Sequence, residues 1–141
     1  MIRSIYSRLY ADFLMPSRLR EYRNLLQEAM DKGYHICSIS SFWEAIKRGT
    51  VDSETRYLIL RHDIESDLAT ARAMREIEQR LSVNSSYYFR LSTIDIPLME
   101  EIHRSGGEAG YHFEEIATIA KQKHLRTHNQ VRLEMPYIRE L

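Results

Sequence analysis

The chain is short of several things, and each shortage narrows what it can be. It has one cysteine, Cys37, in 141 residues. No disulfide can close within it, which suits a reducing compartment. It has no excess of either charge, because 20 basic residues balance 20 acidic ones. A neutral chain has no general attraction for nucleic acid or for an anionic membrane, so neither is expected as a partner. No apolar run approaches the roughly twenty residues of a spanning helix, so no stable membrane insertion is expected. Met1 to Met15 mixes Arg3, Arg8 and Asp12 into its apolar positions, which breaks the apolar core that a signal peptide needs. The expected location is the cytoplasm. Internal repeats and low-complexity tracts are also missing, which argues against a solenoid.

What is there fits one domain. The apolar fraction of 43% is ordinary for a globular protein, and a chain of this length buries about two-thirds of its unfolded surface. Residues 1–16 read as an arm or short helix, and residues 17–141 as the domain proper. After Pro16 and Ser17, the spacing of Leu19, Tyr22, Leu25, Leu26, Ala29 and Met30 predicts a helix with one apolar face, stopped at Gly33. Tyr34 to Ile39 reads as a strand. Ser41 and Glu44 have capping-box spacing, so a second helix is expected from there to Gly49, with Phe42, Trp43 and Ile46 inward.

Tyr57-Leu58-Ile59-Leu60 is a continuous apolar run, as in a strand buried on both faces. Ser66 and Asp67 cap the next helix, whose face is Leu68, Ala71, Met74, Ile77 and Leu81. Ser86 to Leu91 is strand-like. Asp95 and Pro97 open a helix that buries Leu98, Met99 and Ile102, and Gly106-Gly107 end it. Ala109 to Phe113 is strand-like again, and Glu114 to Lys123 helical. His124 to Leu141 reads as further helix interrupted by Pro136. Helix and strand alternate throughout, which predicts an α/β fold with a mainly parallel sheet and right-handed crossovers. A (β/α) barrel and an open doubly wound sheet both satisfy the pattern.

Functional residues of parallel α/β folds collect beyond the carboxyl ends of the strands. Here those ends carry Arg61-His62-Asp63-Ile64-Glu65, then Arg90, then Tyr111-His112-Phe113-Glu114-Glu115. A histidine and two carboxylates from neighbouring strand ends are the usual makings of a divalent-metal site with a nearby base. Asp63 and Glu65 are two apart and point the same way if the strand continues that far. A plainer reading is also open. Asp63, Glu65 and Asp67 can serve the following helix, Arg61 can be a structural ion-pair partner, and His112 can bond a backbone carbonyl.

The stretch from Tyr57 to Lys123 resembles the first half of a polysaccharide deacetylase domain. "LILRHDIESD" resembles that family's first motif, "SSYYFRL" its next strand and "GGEAGYHFEE" its histidine motif. "LLQEAMDKGYHICSISSFWEAI" resembles the helix–strand–helix lead-in. The resemblance implies a distorted, incomplete (β/α) barrel and a metal-dependent hydrolase that removes an N-acetyl group from a carbohydrate or sugar precursor. It implies Asp63 as the catalytic base, Glu65 and His112 as ligands of zinc or a similar divalent ion, and a carbohydrate substrate. His62, Arg90 and Tyr111 are the expected substrate contacts. Ile116 stands where many members have a second metal histidine, and Glu65 where an aspartate is usual. Nothing after Lys123 resembles the later motifs. The expectation is therefore the N-terminal part of a longer domain, whose open strand edge makes oligomerisation a possibility. The alternatives are a non-catalytic sugar-binding or scaffolding relative with an incomplete metal site, and an amidohydrolase for a different small amide.

Three lesser signals are set aside. His124 and His128 have helical metal-pair spacing but lack the glutamate of the zinc-protease motif. Cys37 sits in an apolar strand as an inert thiol. Gly106 to Gly110 lacks a nucleotide-binding pattern and reads as a close approach of helix and strand.

Overall fold

The computed structural model describes residues 18–124, together with Thr127 and Gln130. The expected arm at 1–16, the helix start at Pro16 and Ser17, His128 and Pro136 lie outside the described residues. The elements are α1 (Leu19–Asp31), β1 (Tyr34–Cys37), α2 (Ile39–Lys47), β2 (Arg56–Ile59), β3 (Arg61–Ile64), α3 (Leu68–Arg80), β4 (Ser86–Phe89), a short 3-10 helix (Leu91–Thr93), α4 (Ile96–Arg104), β5 (Glu108–Tyr111) and α5 (Glu115–Gln122).

Every strand pair is parallel: β1 with β2, β3 with β4, and β4 with β5. The expected single strand at Tyr57 to Leu60 is divided. Leu60 is the hinge, because its N–H donates to the Cys37 carbonyl and its own carbonyl accepts from Ser86 N–H, both at 3.0 Å. One extended stretch thus passes from β1 as neighbour to β4 as neighbour, joining a two-stranded sheet, β1-β2, to a three-stranded sheet, β3-β4-β5. Ile59 is 40% exposed, so the expected burial on both faces does not hold. No described helix is long and apolar enough to cross a membrane.

The core lies between the three-stranded sheet and α3 and α4. Ile64, Tyr87 and Phe89 meet Ala71, Leu98 and Ile102, with Leu68, Met99 and Ala109 at its margin. The helices start where side chains accept the free N–H groups of the first turn. Asp67 accepts from Thr70 N–H and Asp95 from Leu98 N–H, both at 3.0 Å. For α2 the cap is Ser38, which accepts from Ser41 N–H at 3.1 Å. The expected capping box at Ser41 is therefore replaced by a start three residues earlier, since the extended backbone of Ser38 leaves its hydroxyl free to reach inward.

Two helices bury less than their periodicity suggests. Trp43 and Ile46 of α2 are exposed, as are Leu25 and Met30 of α1. Only Leu26 and Ala29 of α1 are buried, and only Phe42 of the expected α2 trio meets an aromatic partner, Tyr57 at 5.0 Å between ring centroids. Trp43 instead lies under the Lys47 ammonium. Apolar spacing marks a face, but the width of the facing surface decides how much of it is covered.

The glycine-rich segment does bring helix and strand close together. A Cβ at Gly107 would lie 2.9 Å from Ile102 Cγ2 and 3.1 Å from the Ile102 carbonyl. A Cβ at Gly110 would meet the Tyr88 ring at the same short range. Neither position has room for a side chain.

Candidate active site at three strand ends

Register sorts the strand residues into two faces. His62, Tyr87 and Ala109 form one row, and Ile64, Phe89 and Tyr111 another. The inner members of these rows pack toward the helices. The alternate rows are Arg61, Ser86, Glu108 and Asp63, Tyr88, Gly110, so their side chains point to the opposite face.

That opposite face is polar and internally bonded. Arg61 Nε donates to Asp63 Oδ1 at 2.8 Å, and its guanidinium lies 4.8 Å from the Tyr88 ring centroid. Tyr88 O–H donates to Glu108 at 2.8 Å and Ser86 O–H at 2.5 Å. Glu108 also accepts the Ser40 N–H at 3.0 Å, which ties β5 to the start of α2. Burial pushes the Glu108 carboxyl upward, but the hydroxyls of Ser86 and Tyr88 and the Ser40 N–H hold it below the usual carboxylate range. Burial and the neighbouring Glu108 raise the Tyr88 phenol.

The carboxyl ends hold two further clusters. In the first, His112 Nε2 lies 3.6 Å from Asp63 Oδ2. The His112 N–H donates to the Phe89 carbonyl at 2.7 Å, so the strand contact continues one residue beyond β5 and fixes where the ring begins. The buried Nδ1 of His112 has no hydrogen-bond partner among the described residues. In the second cluster, Arg90 Nη2 lies 2.9 Å from Glu65 Oε1 and its Nε 3.1 Å from Glu114 Oε2. The Nε contact is an ion pair out of alignment for a hydrogen bond. Thr93 braces this region, since its hydroxyl donates to the Ile64 carbonyl at 2.6 Å and accepts the Arg90 N–H at 3.0 Å. A groove of about 380 Å³ runs beside β3, bounded by Asp63, Glu65, Asp67, Thr70 and Met74.

The expected site residues therefore divide. Asp63, Glu65, Arg90 and His112 stand at the same sheet edge. His62 and Tyr111 lie in rows of the other face. Tyr111 is edge-on to Phe113, and both are exposed. His62 is mostly buried and turns toward α1 and α3, with Nε2 2.8 Å from Glu78 Oε1 and 3.2 Å from the Tyr22 hydroxyl. His124 is exposed beyond the end of α5.

Sequence pattern alone does not single out Glu78. It is fully buried, and its carboxylate accepts from Tyr22 O–H at 2.6 Å, Ser85 O–H at 2.7 Å and Tyr87 O–H at 2.9 Å. Arg75, also buried, approaches within 3.6 Å. Burial drives the Glu78 carboxyl upward, yet His62, Ser85 and Tyr22 hold it below its ordinary value. Burial and Glu78 raise the Tyr22 phenol far above its ordinary value. A signal was available: Arg75 and Glu78 continue the inward spacing of Leu68 and Ala71 on α3.

The donor set fits a bound divalent ion only in part. Asp63 and His112 are close enough to share one through His112 Nε2. Glu65 and Glu114 are already held by Arg90. Among the described residues no group of three or more histidine, cysteine or acidic side chains stands ready for a metal, which is fewer than a closed protein site supplies. No family model matches the chain, and neither a curated protein nor a solved structure matches it.

Proposed function

We propose that the chain carries a carbohydrate N-deacetylase-like hydrolase site, with Asp63 as the proton acceptor. The observation that carries this is the Asp63 carboxylate, set at a strand end between Arg61 and His112. In the reaction, Asp63 takes a proton from water as the water oxygen bonds to the acetamide carbonyl carbon. The C–N bond then breaks, and Asp63 returns the proton to the leaving amine. Acetate and the free amino sugar are the products. Arg61 orients the carboxylate through its hydrogen bond, and His112 lies beside the other carboxylate oxygen. The substrate class, an N-acetylated sugar or sugar precursor, rests on the resemblance of the strand-end motifs.

Two further parts of this reading are proposals of the same kind. The parallel strands in chain order, with a polar face opposite α3 and α4, support the opening arc of a distorted (β/α) barrel, whose interior that polar face would line. The lone buried Cys37 supports a cytoplasmic location.

A second reading is favoured by Arg90, which occupies two of the acidic groups. On it the chain binds sugar without cleaving it. Acetate release and saturation-transfer NMR, both run on N-acetylated oligosaccharide, separate the two. The hydrolase reading expects acetate from the wild type and, from Asp63→Asn, binding without acetate. Binding by both proteins with no acetate from either, whichever divalent ion is supplied, would establish the binding module instead.

A further inference from the structure

The same strand ends carry an inference about what neutralises them. Asp63, Glu65 and Glu114 bring three negative charges to one sheet edge, from the β3 and β5 ends. Arg61 is spent on Asp63. Arg90 leaves the end of β4, between these strands, and its guanidinium reaches a carboxylate on each side. A divalent ion between acidic strand ends would make the same connection. The guanidinium is planar, permanently charged and able to serve two carboxylates at once.

We infer that Arg90 is the built-in cation of this site, standing in the electrostatic place of a divalent metal and holding the ends of β3 and β5 together through Glu65 and Glu114. The backbone supports this placement. Thr93 fixes both the Arg90 N–H and the Ile64 carbonyl, so the root of the Arg90 side chain is set relative to the end of β3. The side chain is about three-quarters covered, so it is not a freely moving surface arginine. A metal ion entering here has to displace a charge that is already bonded on both sides. The inference goes beyond the hydrolase reading and does not depend on it, since it concerns cation occupancy rather than turnover.

Removing Arg90 should then open a place for a divalent cation between Glu65 and Glu114. Glu65 and Glu114, left facing each other without their shared cation, are oxygen ligands that suit manganese and can hold zinc. The test uses the full chain with Mn²⁺ alone, followed by electron paramagnetic resonance, and with Zn²⁺ alone, followed by calorimetry. Arg90→Gln should bind either ion at least about tenfold more tightly than the wild type, because two facing carboxylates lose their shared cation. Arg90→Lys, which keeps a positive charge, should stay near the wild type. Adding Glu65→Gln to Arg90→Gln should remove the gain, which locates the ion. Tight stoichiometric binding by the wild type would overturn the inference without need of any variant. So would an Arg90→Gln protein, folded by circular dichroism, that gains nothing. Acetate release plays no part in these readouts, so the failure of this inference and the failure of the hydrolase reading are separate results.

Discussion

Replacing Glu78 with alanine should be the most destabilising single change in the described core. The carboxylate is fully buried and joins Tyr22 of α1, His62 of β3, and Ser85 and Tyr87 at β4, with Arg75 alongside. Alanine would leave three hydroxyls and the 2%-exposed Arg75 facing a void. Leaving one member of a buried charge pair unpartnered costs about 3–5 kcal/mol, and each orphaned buried donor about 1–3 kcal/mol. These losses overlap, because Tyr22 can rotate toward water and Arg75 keeps its bonds to Val83 and Ser105. We therefore expect a loss of about 4 kcal/mol for Glu78→Ala, a large share of the roughly 5–15 kcal/mol that holds a domain together.

Glu78→Gln keeps the shape and one acceptor oxygen, and should lose about half as much. Urea unfolding followed by circular dichroism gives both values. The acid limb adds an independent check. The folded carboxyl is held below its ordinary value, so its stabilisation is present above the unfolded carboxylate pKa of about 4.3. It is lost as pH falls through the lower, folded value. Glu78→Gln should lack that part of the pH dependence. A Glu78→Ala protein within about 1 kcal/mol of the wild type, with an unchanged acid limb, would refute the reasoning, because surface substitutions away from such features cost about that little.

Two other consequences follow from packing. Gly107→Ala places a methyl group against Ile102 and its carbonyl, so α4 or β5 must shift. A loss of about 1–3 kcal/mol is expected in the same unfolding assay, and a neutral result would mean that the helix and strand are not held so closely. Cys37 is 5% exposed and burial raises its thiol pKa. Its reaction with a disulfide reagent at pH 8 should wait for unfolding, and prompt labelling of the native protein would contradict the placement of β1.

The alternation of elements was legible because its signals are local. Asp67 and Asp95 cap the helices they were expected to cap. Gly33 and Gly106 take positive φ angles at helix ends, which glycine tolerates and most residues do not. The grouping of Asp63, Glu65, Arg90 and His112 was legible because parallel strands put successive carboxyl ends side by side.

What was not legible depends on partners distant in sequence. Leu60 is an ordinary apolar residue until Cys37 and Ser86 take its two backbone groups. Arg75 and Glu78 read as exposed charges on an amphipathic helix; the His62 ring and the hydroxyls of Tyr22, Ser85 and Tyr87 around Glu78, and Val83 and Ser105 around Arg75, make their burial tolerable. The division of His62 from Asp63 follows from strand alternation, yet the motif reads as one unit until the sheet assigns its faces. The pairing of Arg90 with two glutamates needed the spatial order of β3, β4 and β5.

The central claim is that Asp63 accepts a proton during hydrolysis of an acetamido sugar. The most direct measurement is the rate of acetate release from an N-acetylated oligosaccharide by the wild type and by Asp63→Asn, each folded by circular dichroism, with and without added divalent ion. The account predicts release by the wild type and a fall of about a hundredfold or more in the variant. Equal rates from the two proteins, or no acetate from the wild type under any of these conditions, would contradict it.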